Sequence, residues 1–224
     1  MLRAVLLTCL ACLGLVAATA AHAGTDASRE LSNAERASLE AGGLVRRPMT
    51  QHRGSLQLMG GTSYQVIDAP LKVVWNALLD TDHYARMLPQ VLQARVVRQT
   101  ATQRTVFVRQ GTGLIETQYY LTINLFEDRG DITFAMDSQR PHDLRAAWGF
   151  YTVRPYADGK KTLLAYGVMA DIGAGIFGAL VRDDVHDWML KVPYTVKRFI
   201  EGSGRHLYRA SWSAALATAL TKRG

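Results

Sequence analysis

Residues 175–201, GIFGALVRDDVHDWMLKVPYTVKRFIE, constrain this chain more than any other stretch. Phe177, Val181, Val185, Trp188, Val192, Val196 and Phe199 recur at spacings of three and four, which places them on one face of a helix. Most of the charged residues between them fall elsewhere. The segments before it read as strands, and a long amphipathic helix after a run of strands must bury its stripe against the sheet they form. Pro193 lies inside the stretch and is expected to bend it, because its ring removes a backbone donor and crowds the previous turn. The expectation is one bent helix closing an apolar chamber over a curved sheet.

The chain has 224 residues, enough for one domain with a sizeable core. Residues 1–23 read as a secretory signal peptide. Arg3 gives a positive start, an apolar run follows, and Ala21-His22-Ala23 is a small-x-small cleavage site before Gly24. An uncleaved anchor is the alternative. Cys9 and Cys12 both lie in this leader, so the mature chain has neither disulfide nor thiol chemistry. An exported protein without disulfides fits a bacterial periplasm at least as well as an animal secretory route, so periplasmic or secreted localisation is expected.

The net charge is +7, and Arg205, Arg209, Lys222 and Arg223 concentrate much of it at the end. Residues 203–224 therefore read as a basic amphipathic tail. Tyr208, Trp212, Ala215, Leu216, Ala219 and Leu220 recur there at helical spacing. Three readings stay open: a terminal helix packed on the domain, an interfacial helix on an anionic membrane surface, or a disordered end. Nucleic acid is not expected as a partner.

Residues 24–54 are expected to hold a short helix opened by the capping box Ser32–Glu35, stopped by Gly42-Gly43, and followed by an irregular basic linker. Residues 55–67 read as a first strand, broken or bulged at Gly60-Gly61. Asp68-Ala69-Pro70 reads as a helix start with Asp68 as the cap. A second short helical piece covers 80–88. Six strands follow at 91–98, 105–111, 114–127, 131–137, 147–156 and 162–172, with Asp128-Arg129-Gly130 and Asp158-Gly159 as turns.

Alternation tells which face is inside. Ile115, Thr117, Tyr119, Leu121, Ile123 and Leu125 share one face; by the same parity Ile132, Phe134, Met136, Tyr151, Val153, Leu164, Tyr166 and Val168 point inward. Three tyrosine tips and Thr117 on an apolar wall are how a pocket orients a mostly hydrophobic guest. The expected ligand-binding residues are Thr117, Tyr119, Leu121, Phe134, Met136, Tyr151, Val153, Leu164, Tyr166, Phe177, Val181, Val185, Trp188 and Val192. Gly173-Ala174-Gly175-Ile176-Phe177-Gly178 matches G-x-G-x-x-G, but a hairpin-connected meander is the wrong setting for a dinucleotide fold. Asp183, Asp184, His186 and Asp187 crowd one turn, and read as a solvated helix face more readily than as a metal site. No cofactor, metal or catalytic residue is expected, and no nucleophile has a base beside it.

The order of signatures resembles a known superfamily. It runs Ala69-Pro70…Val74-Trp75…Leu79-Asp80…Tyr84…Leu88-Pro89, a meander, Gly149-x-Tyr151-x-Val153-x-Pro155, Asp158-Gly159…Thr162-x-Leu164-x-Tyr166, then a long helix. It is similar to the START-related, polyketide-cyclase-like (SRPBCC) helix-grip proteins, over residues 55–202. That family often has tryptophan where Tyr151 stands and an aromatic near Met87. The resemblance implies an α+β helix-grip fold, with a curved antiparallel sheet wrapped around the C-terminal helix and a cavity between them. It also implies a carrier of a lipid, sterol, quinone or polyketide-like molecule, with a cyclase or hydrolase as the alternative. Separately, a monomer is expected.

Overall fold

The computed structural model describes residues 31–112, 115–173 and 179–213. Eight strands carry the domain: β1 (Val45–Arg53), β2 (Leu56–Ile67), β3 (Val91–Gln99), β4 (Gln103–Thr112), β5 (Ile115–Phe126), β6 (Asp131–Met136), β7 (Ala146–Tyr156) and β8 (Lys161–Asp171). They form one sheet in the order β1-β2-β8-β7-β6-β5-β4-β3, and every neighbouring pair is antiparallel. The helices are α1 (Asn33–Glu40), α2 (Leu71–Leu79), α3 (Tyr84–Met87), α4 (Ala179–Leu190) and α5 (Val192–Glu201). This is the expected α+β helix-grip architecture. No strand follows α5 among the described residues, which removes the setting a dinucleotide fingerprint needs. Residues 174–178 of the glycine string lie outside the described residues, as do the leader at 1–23 and the tail beyond 213.

The capping box is as expected: Glu35 N donates to Ser32 Oγ, and Ser32 N to the Glu35 carboxylate. Glu35 also receives a two-pronged contact from the Arg47 guanidinium, tying α1 to β1. The "irregular linker" is in fact β1. It is an edge strand with a partner on one side only, which is where a sheet tolerates Pro48 and a run of basic residues. β2 is not broken at Gly60-Gly61, since its ladders to β1 and β8 run through both glycines without a register shift. Both sit at positive φ, and a Cβ on Gly60 would lie 1.9 Å from the Val168 carbonyl oxygen. The cap of α2 is Pro70, with no side-chain bond from Asp68.

The expected single bent helix is two. Lys191 separates α4 from α5, and Pro193 takes the second position of α5, where its missing N–H removes no intrahelical bond. The main core lies between the inner sheet face and α2, α3, α4 and α5, and includes Val74, Val106, Leu164, Val196 and Ile200. A smaller cluster, Leu31, Leu39, Val45, Tyr64, Val66, Leu163 and Ala165, fills the opposite face beneath α1. There the fully buried Gln65 donates to the carbonyls of Gly42 and Gly43, satisfying groups just past the end of α1.

Candidate functional site: a cavity under the C-terminal helices

The inner face does not pack solid. A cavity of about 440 Å³ is lined by side chains from β3 (Val91), β4 (Val108, Gln110), β5 (Thr117, Tyr119, Leu121, Ile123), β6 (Ile132, Phe134), β7 (Ala147, Tyr151), β8 (Tyr166, Val168, Ala170), α4 (Val185, Trp188, Met189) and α5 (Val192). Six neighbouring strands laid flat would span about 24 Å, whereas a sphere of this volume is only about 9 Å across. One cavity can touch all six only because the sheet curls around it.

Register builds the wall. Ile132, Tyr151 and Tyr166 form one cross-strand row, and Ile123, Phe134 and Gly149 form the next. Gly149 is needed there: a Cβ would lie 2.4 Å from Phe134 Cζ and 2.1 Å from the Gly167 carbonyl oxygen. Its absence lets the Phe134 ring lie across β7 beside the tyrosines. Phe134, Tyr151 and Tyr166 then form a ring cluster with centroids 4.9–6.2 Å apart.

Four tyrosines face this space, and their hydroxyls differ. Tyr84 donates to the Leu78 carbonyl at 2.6 Å, and Tyr119 to Gln110 Oε1 at 2.5 Å. The Gln110 amide in turn donates to the Pro89 carbonyl, and Thr117 donates to the Gln110 carbonyl. The hydroxyls of Tyr151 and Tyr166 have no hydrogen-bond partner among the described residues. Burial pushes Tyr84 up to about 12 and raises Tyr119, Tyr151 and Tyr166 well above the ordinary phenol value. All four therefore stay neutral and able to donate at ordinary pH.

The acidic turn on α4 is spent on structure. His186 Nε2 donates to the Gly60 carbonyl at 2.6 Å, and Asp187 pairs with Lys191 and with Arg46 of β1. Those two cations hold the Asp187 carboxyl below its usual range. These contacts fasten α4 across β1 and β2 as a wall of the cavity. No group of metal-ligating side chains forms among the described residues.

Of the ligand-contact positions read from the sequence, Thr117, Tyr119, Leu121, Phe134, Tyr151, Tyr166, Val185, Trp188 and Val192 line the cavity. Phe177 and the side chain of Val181 lie outside what is described. Met136, Val153 and Leu164 face inward but belong to packed core instead of the cavity wall. Val153 and Leu164 are paired near the end of β7 and β8 that α2 closes, where Thr162 donates to the Ala69 carbonyl. Sequence reading missed Gln110, although it shares the parity of Val106 and Val108, and it missed Tyr84 as a wall residue. A polar side chain ending an inward apolar row was the available signal for Gln110.

A family model described as polyketide cyclase / dehydrase and lipid transport matches residues 67–188, more than half the chain. The chain belongs to that family. No curated protein matches it. Among solved structures, it is similar to a STAR-related lipid transfer protein from Xanthomonas axonopodis. They share 13% identity and a TM-score of 0.54, over 70% of this chain and 99% of that one. The Zhui aromatase/cyclase from Streptomyces sp. R1128 shares 16% identity and a TM-score of 0.51, over 66% and 98%. A START superfamily protein from Mycobacterium smegmatis shares 10% and 0.52, over 63% and 97%. At such identities these likenesses establish the START-like helix-grip fold of this polyketide cyclase / lipid transport family member.

Proposed function

We propose that this protein binds a hydrophobic small molecule in the cavity between sheet and C-terminal helices and carries it, unaltered, outside the cytoplasm. The carrying observation is the curled apolar wall around about 440 Å³ with unspent tyrosine hydroxyls on it. Apolar burial would supply most of the affinity, about 0.8 kcal/mol per methylene. Family membership and the lipid-transfer neighbour support carriage; the leader-like residues 1–23 support export. Contact with an anionic membrane through the basic tail would bring the carrier to its source. The described part of that tail packs on the domain: Tyr208 is buried and donates to Asp80, and Asn76 donates to Ser211. Arg205 and Arg209 remain exposed for a membrane.

A second reading, a cyclase or hydrolase, draws on the same tyrosines as proton donors or oxyanion holders, and on the aromatase/cyclase neighbour. A transfer assay separates the two. Protein added between donor vesicles loaded with a fluorescent lipid analogue and empty acceptors should speed its transfer and return it chemically unchanged. Binding without transfer contradicts carriage, and recovery of a converted product favours the enzyme.

A further inference from the structure

Resting on that reading, the chemistry of the wall narrows the guest. We propose that the ligand is a compact, uncharged, ring-bearing molecule with a hydrogen-bond-accepting oxygen such as a ketone, held by the hydroxyls of Tyr151 and Tyr166, and that carboxylate amphiphiles are rejected.

Three observations carry this. The first is charge. No Lys, Arg or His is among the described residues that line the cavity, and its one ionisable carboxylate, Asp184, is exposed. A buried carboxylate without a cation or a dense set of donors loses its hydration uncompensated, and Asp184 adds repulsion. Two neutral hydroxyls suffice for a ketone but fall short of the dense donor set a buried carboxylate needs.

The second is hydrogen-bond accounting. Tyr84, Tyr119 and Thr117 each donate inside the protein. Among the described residues Tyr151 and Tyr166 do not, although Tyr166 is only 6% exposed. Their hydroxyls open on the cavity, so a guest that displaces water from them leaves two donors unpaired unless it offers an acceptor, and such a guest is favoured over pure hydrocarbon. The two tyrosines are direct cross-strand partners with ring centroids 4.9 Å apart, so a single oxygen, or two on one ring, can face both. Their phenols are raised by burial and stay protonated as donors.

The third is shape. Phe134, Tyr151, Tyr166 and Trp188 give the wall flat faces, which suit a ring system. A volume of about 440 Å³ lies at the small end of the roughly 300–1,000 Å³ of ligand pockets, which suits a compact guest.

The test uses three probes of matched shape, titrated calorimetrically into ligand-stripped protein at pH 7: 2-acetylnaphthalene, 2-naphthoate and 2-ethylnaphthalene. The ketone should bind best, the hydrocarbon next, and the carboxylate at least tenfold more weakly than the ketone. Tyr151→Phe and Tyr166→Phe should each weaken the ketone roughly two- to tenfold, the weight of one neutral hydrogen bond, and leave the hydrocarbon unchanged. Naphthoate binding as well as the ketone overturns the inference and leaves cavity binding standing. Equal losses for ketone and hydrocarbon, or no loss for either, overturn the tyrosine assignment. Failure of all three probes to bind overturns the cavity reading itself, and this inference with it.

Discussion

Filling the cavity from its own wall separates a hollow domain from a solid one. Ala147 and Ala170 are cross-strand partners on β7 and β8, and both line the space. Ala147→Leu or Ala170→Leu adds three carbons at that point. If those carbons enter a void, each contributes about 0.8 kcal/mol, so full burial stabilises by up to about 2.4 kcal/mol per substitution. For a domain of this size, 1 kcal/mol is roughly 2–4 °C in Tm, so a rise of about 5–10 °C is the upper bound. The same carbons take room from the guest: losing three carbons' worth of burial weakens binding roughly 50-fold at 1.4 kcal/mol per decade. The assay is thermal unfolding by circular dichroism on ligand-stripped protein, with a titration of 2-acetylnaphthalene alongside. A Tm at or above wild type with affinity lost supports the hollow wall. A fall of the about 1–3 kcal/mol typical of overpacking, with affinity unchanged, refutes it.

Three further outcomes follow from the geometry. Burial raises the folded pKa of Tyr84, Tyr119, Tyr151, Tyr166 and Tyr208 above the unfolded value near 10; their contribution to stability is full below pH 10 and is lost as pH climbs past it. Phenolate absorbance should show these five un-ionised above pH 10 until the protein unfolds, and ionisation of all nine tyrosines near pH 10 in folded protein contradicts that. Tyr208→Phe removes the bond to Asp80 Oδ2 at 2.9 Å and should cost about 1–2 kcal/mol, with faster amide exchange over residues 205–213; unchanged exchange rejects the docked tail. Arg205→Glu with Arg209→Glu should weaken sedimentation with anionic vesicles but not neutral ones, and unchanged sedimentation rejects the membrane role of the tail.

The sequence was most legible where one face alone is buried. In β5, Thr117, Tyr119, Leu121 and Ile123 alternate with Glu116, Gln118, Thr122 and Asn124, and the inner set is the set that meets the cavity. In β2 alternation fails because α1 covers one face and α4 with α5 the other, so nearly every residue from Leu58 to Ile67 is buried. β1 was hidden by Pro48 and its basic residues, which only an edge position permits. The break at Lys191 was hidden because the apolar stripe runs on across it, with Val192 and Val196 continuing the row of Val185 and Trp188. Which inward residues meet void and which meet solid core was not legible, since Val153 and Tyr151 share a face and differ only in what lies above them. That depends on where α2 docks, a long-range fact no local pattern carries.

Native mass spectrometry of gently purified protein tests the central claim most directly. The account predicts a retained, extractable, uncharged hydrophobe, one per chain, that Ala170→Leu protein retains far less of. Protein that emerges empty from every preparation and takes up no hydrophobic molecule on exposure contradicts it.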